Sequence, residues 1–158
     1  MRIRATSIVV WAYMAEAVAA FFLCVFTDVL FGSSGFFEKF QATSKEWSVV
    51  AGLLTAGSLG GFWAYFNQTR GPFAAWLHWK QADRTYTAAF AFPVFVHLVT
   101  LCLLIILPSF PSPTFSRIGY GFGLYAILCV LTQIVNAAGF MKLRNAFEQE
   151  WLHQPKGN

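Results

Sequence analysis

The sequence predicts an all-α membrane protein, a single domain built as a bundle of four transmembrane helices. Three observations carry that prediction. Of the 158 residues, 57% are hydrophobic, 18% aromatic and only 11% charged, whereas a soluble domain carries about a quarter charged residues. No Asp, Glu, Lys or Arg occurs between Thr85 and Ser116, and residues 86–107 inside that run would span roughly 33 Å as a helix, close to the thickness of a bilayer's hydrocarbon core. A second uncharged run extends from Trp47 to Thr69.

The first span is expected over residues 6–31. The opening MRIRATSIVVWAYMAEAVAAFFLCVF has the arginines and alanines of a signal peptide. Its apolar stretch continues to Phe31, however, and contains Glu16, so an uncleaved helix is the expectation. Residues 32–46, GSSGFFEKFQATSKE, read as a short polar loop. The second span covers about 47–66, with Ser44 near its start. Its centre places Gly52, Ala56 and Gly60 four apart, with Gly57 and Gly61 as a second pair. This small-xxx-small spacing lets membrane helices approach closely, and it marks the second span as the expected packing hub.

Residues 71–82 open on Pro72, and Phe73, Trp76 and Leu77 fall at helical spacing. They read as a short interfacial helix with its tryptophans in the aromatic belt and His78 in the wet headgroup region. The third span, 86–107, carries Pro93, which removes a backbone hydrogen bond to Ala89. Pro108, Pro111 and Pro113 then form a rigid turn. The fourth span, about 118–140, repeats the close-approach spacing at Gly119 and Gly123. Beyond it, residues 141–154 form an amphipathic tail continuing a stripe of Phe140, Leu143, Phe147 and Trp151, ended by Pro155.

Orientation follows from the basic residues. With both termini inside, the cytoplasmic side collects Arg2, Arg4, Arg70, Lys80, Arg84, Lys142, Arg144 and Lys156, against Lys39, Lys45 and Arg117 outside. Eight against three obeys the positive-inside rule, giving an N-in, C-in protein of a bacterial inner membrane. The net charge of +4 lies at helix ends and not in one patch, so it does not point to nucleic acid.

Polar residues inside the spans are the candidate functional groups, because a charged or polar side chain at that depth is costly and faces the bundle interior. Counted from the span ends, Glu16 and His97 fall at one depth, about 15 Å from the cytoplasmic edge. Thr55 and Ser58 of the second span and Thr132 and Gln133 of the fourth join the same layer, and Thr100 extends the His97 face by one turn. Such a layer could handle a proton or grip the head of a lipid or quinone-like ligand. It could also simply fix helix register, the role expected of Gln133 and Asn136.

Complete catalytic sets are missing from the pattern. No HExxH, P-loop, GxGxxG or Ser-His-Asp arrangement occurs. Cys24, Cys102 and Cys129 lack metal spacing, and one Glu with one His cannot assemble a zinc or di-iron site, so no metal is expected and no cofactor is named. A bis-histidine haem would need a second intramembrane histidine, and His78 and His153 fall outside the spans. The leading expectation is a small accessory subunit packing against other membrane subunits or a second copy of itself. The alternative is a compact membrane enzyme, or a proton-, quinone- or lipid-handling protein, built on the Glu16/His97 layer.

Overall fold

The computed structural model describes residues 4–32, 35–110 and 112–152, with side chains from residue 10 to residue 151. Arg2, Pro111, His153, Pro155 and Lys156 lie outside the described residues, as does the side chain of Arg4. Among the described residues six α-helices follow one another, α1 (Arg4–Phe31), α2 (Phe36–Ala42), α3 (Ser44–Gln68), α4 (Gly71–Trp79), α5 (Asp83–Ile106) and α6 (Pro113–Leu152), with a short 3-10 helix at Leu107–Ser109 between the last two. No strand occurs among the described residues. Helices α1, α3, α5 and α6 are each long and apolar enough to cross a membrane.

The spans pack in the spatial order α3, α5, α6, α1: α3 lies chiefly on α5, α5 on α6, and α1 on α6. Helix α5 is therefore the hub, with 39% of its most apolar window buried against 22% for α3 and 6% for α1. This corrects the expectation that the second span is the hub. Spacing alone marks α3 as able to approach a neighbour closely, but it does not say that the neighbour belongs to the same chain. A Cβ built at Gly52, Gly57, Gly60 or Gly123 would meet nothing within 4 Å, and Ala56 is exposed. Two of the expected close-approach glycines do meet a neighbour, Gly61 beside Gln133 at 3.1 Å and Gly119 beside Leu107 at 3.3 Å.

The segment expected as a loop over 32–46 contains α2. Its Phe36, Phe37 and Phe40 surround Tyr120 with ring centroids 5.3–5.9 Å away, and Phe37 and Phe40 are buried. Three phenylalanines in five residues were thus a packing signal hidden by charged neighbours. Gln41 secures the same end: its Nε2 donates to the carbonyls of Leu107 and Phe110, and Ser116 donates to its Oε1.

At the opposite end α4 lies on α6. Phe73 stacks among Trp76, Phe140 and Phe147, while Glu150 of α6 accepts a hydrogen bond from Trp76 Nε1 and pairs with Lys80. The fourth span and the tail form one continuous helix whose 40 residues reach about 60 Å, twice the hydrocarbon thickness. Phe140, Leu143 and Phe147 of its apolar stripe pack in one cluster with Phe73 and Leu77 of α4, while Trp151 is exposed; that packing explains why the helix continues beyond the apolar run. Gln81 then takes a left-handed turn (φ 58°) that reverses the chain into α5.

Replacing the buried Phe73 with Ala should lower stability by about 3 kcal/mol. The checks are a fall in the thermal midpoint in detergent and faster amide exchange across α4, with the α2 end of the bundle unaffected.

Candidate polar site within the bundle

Among the described residues, intramembrane polar side chains gather in three knots, each tied to α5 or α6. The first surrounds Pro93, which is fully buried inside α5. A proline has no N–H for the carbonyl four residues back, so the carbonyl of Ala89 is orphaned. The hydroxyl of Tyr13 on α1 donates to it at 2.6 Å. Tyr13 in turn accepts from Asn136 Nδ2 at 3.2 Å, and its own backbone carbonyl accepts from the Tyr125 hydroxyl at 3.2 Å. One tyrosine therefore holds α1, α5 and α6 together.

The second knot is His97, which is fully buried. Its Nε2 lies 2.9 Å from the Ala126 carbonyl, and its Nδ1 lies 2.5 Å from Ser58 Oγ, itself 3.0 Å from Gln133 Oε1. A carbonyl only accepts, so Nε2 carries a proton, and a hydroxyl has a single proton to give. With a neutral ring, Ser58 donates to Nδ1 and the Gln133 amide must turn to offer its N–H to Oγ. With a protonated ring, Nδ1 donates to Ser58 and Ser58 donates to Gln133 Oε1. The orientation of the Gln133 amide thus follows the proton on the ring.

The third knot is Glu16, whose Oε1 accepts from the Thr132 hydroxyl. Its Oε2 is buried without a hydrogen-bond partner, and the buried Cys129 thiol is in reach of the same carboxyl. Thr55 is turned inward on its own helix, donating to Ala51 at 2.7 Å. Thr100 donates to Val96 at 2.8 Å and approaches the Phe122 carbonyl of α6 at 3.3 Å.

The structure does not bring Glu16 and His97 together. They reach α6 at Thr132 and Ala126, six residues apart, which is about 9 Å along the helix. The helix starts do not account for this, because α1 begins two residues before its expected start and α5 three; the two side chains bond to different faces of α6. Ser58 and Gln133 do join His97, and Thr132 joins Glu16, so the layer divides into two knots on the two sides of α6.

Tyr13, Tyr125 and Cys129 belong to these knots and were missed as site residues. Tyr13 was the findable one, since it precedes Glu16 by three residues on the same helix face. Pro93 also signalled that a donor had to arrive from another helix, because the bilayer supplies none. Comparison with protein-family models, with curated proteins and with solved structures finds no match to this chain. Fold and site together define its class: a helical membrane protein whose polar core bonds its spans to one another.

Tyr13→Phe should cost about 1–3 kcal/mol by leaving the Ala89 carbonyl unsatisfied. In a Pro93→Ala background the residue-93 N–H returns to that carbonyl, and the penalty should shrink to the part due to the lost Asn136 bond. A double-mutant cycle on unfolding in detergent checks this; equal penalties in both backgrounds would refute the assignment. Glu16→Gln, which still accepts from Thr132, should stay within about 0.5 kcal/mol of the parent by the same unfolding measurement.

Proposed function

We propose that this protein is a small N-in, C-in subunit of a bacterial inner membrane that acts by packing against other membrane subunits or a second copy of itself. The observation that carries this reading is the uncovered small-residue face of α3. Gly52, Gly57 and Gly60 have no neighbour within 4 Å of a built Cβ, and Ala56 beside them is exposed. A helix face of this kind gains van der Waals contact only when another helix approaches it. Supporting the reading, His97 and Thr132 spend their hydrogen bonds on other spans of the same bundle, a use that builds a scaffold. The orientation rests on the excess of Lys and Arg around α4 and the end of α6. In this reading α4 lies in the headgroup region on the cytoplasmic side, anchored by Trp76 and Trp79.

Two measurements test the proposal. Cysteine labelling should place residues 71–79 and the end of α6 on the cytoplasmic face; an external C-terminus would discard the topology. Gly60→Leu and Gly57→Leu enter open space, so each should leave the melting of the isolated chain unchanged. Both should release a stoichiometric membrane partner, or dissociate the homo-oligomer, on purification in mild detergent. If the complex survives both substitutions, the α3 face is not the contact.

A further inference from the structure

We propose that the trough between α1 and α6 binds one acyl chain of a phospholipid whose head carries a primary ammonium beside its phosphate. The trough encloses about 490 Å³, within the range of small-molecule sites. It exists because small residues line it: Ala17 and Ala20 on α1 and, nearer its charged end, Gly121 on α6, where a built Cβ would come 3.7 Å from Cys24 Sγ. Phe21, Val25 and Phe122 complete apolar walls that offer a hydrocarbon chain contact and no hydrogen bond.

Its length suits one leaflet. From Asp28 to Ala17 the trough follows α1 for eleven residues, about 16 Å, and from Arg117 to Tyr125 it follows α6 for eight, about 12 Å. Half of a bilayer's hydrocarbon core is about 15 Å. The charged end sits near the end of α1 and the start of α6, at the level of a headgroup.

That charged end selects the head. Arg117 Nε and Nη2 both donate to a single oxygen of Asp28, Oδ1, at 3.0 and 2.9 Å. Arg117 Nη1 and Asp28 Oδ2 are outside those two bonds, and both side chains remain about two-fifths exposed (41% and 38%). The guanidinium is steadied over the Phe37 ring, 5.2 Å from its centroid. A phosphate on Nη1 and an ammonium on Oδ2 would extend the pair into a neutral four-charge network of charge-assisted hydrogen bonds. A purely anionic head would meet the Asp28 carboxylate, a trimethylated ammonium has no N–H to give, and a quinone leaves both charges unanswered.

The test uses the full chain in detergent micelles, with phosphatidylethanolamine and phosphatidylglycerol of identical acyl chains and lipid retention read by native mass spectrometry. One phosphatidylethanolamine should stay per chain, with affinity about tenfold above phosphatidylglycerol, the worth of one charged hydrogen bond. Asp28→Asn should abolish that preference, and Gly121→Leu, which fills the trough, should abolish retention of both lipids. Circular dichroism and melting without lipid report whether Gly121→Leu folds; should it not, Ala17→Leu fills the same trough from α1. Equal retention of the two lipids, preferential retention of an isoprenoid quinone, no retained lipid, or undiminished retention in a folded trough-filling variant would each overturn the proposal. The trough lies away from the α3 face, so this test is independent of the partner experiment.

Discussion

A polar group inside a bilayer has no water to bond, and the bundle is arranged by that constraint. Two lipid-facing apolar helices gain little from meeting, because hydrocarbon tails are as apolar as leucine. Which spans touch, and at what height, is therefore decided by groups that lipid cannot satisfy. The Ala89 carbonyl freed by Pro93 draws in Tyr13 from α1. The imidazole of His97 needs partners on both nitrogens and finds them on α3 and α6. Each bond crosses between helices, so satisfying the polar groups and fixing the fold are the same event.

The ends of the bundle obey different physics. At the α4 end Tyr65, Phe73, Leu77, Phe90 and Phe140 form one buried cluster, and at the α2 end Phe40 and Leu107 belong to another with Ala51 and Leu104. Near the headgroups water competes again, and burying aromatic area becomes worthwhile in its own right. Many of the 18 phenylalanines nevertheless face outward, including Phe21, Phe22, Phe26 and Phe95. In a membrane such exposure is ordinary solvation by lipid, and it marks no contact surface by itself.

The spans were legible because their signal is a bulk property, length multiplied by hydropathy, which no neighbour can alter. All four fall within a few residues of the expected bounds, and the tail continues the fourth as one helix, as its stripe implied. What the sequence hid was every feature set by which helices become neighbours. The glycines of α3 show where a backbone could approach closely, and not whether this chain supplies the partner. Depth counting put Glu16 and His97 in one layer because it gives height and not azimuth, and so could not show that they bond to different faces of α6, at Thr132 and at Ala126. Helix α2 was hidden because Glu38, Lys39 and Gln41 give 32–46 the composition of a loop, while its three phenylalanines do the packing.

Helix α1 shows how far a few polar ties reach. It is the least buried span and leans mainly on α6, so apolar contact alone would leave its height poorly defined. Four side-chain pairs with α6 are among the ties that fix it: Tyr13 with Asn136, Glu16 with Thr132, Thr27 with Tyr120, and Asp28 with Arg117. Each step forward along α1 is matched by a nearly equal step back along α6, as an antiparallel pair requires. A slip of one turn would displace the partners by about 5 Å, beyond hydrogen-bond reach for all four at once. Their effect on register is therefore all-or-none, even though each bond alone contributes only about 1 kcal/mol. The same register brings Gly121 against Cys24 and leaves Ala17 and Ala20 to line the trough farther from its charged end, so the trough is a consequence of how the polar groups align the two helices.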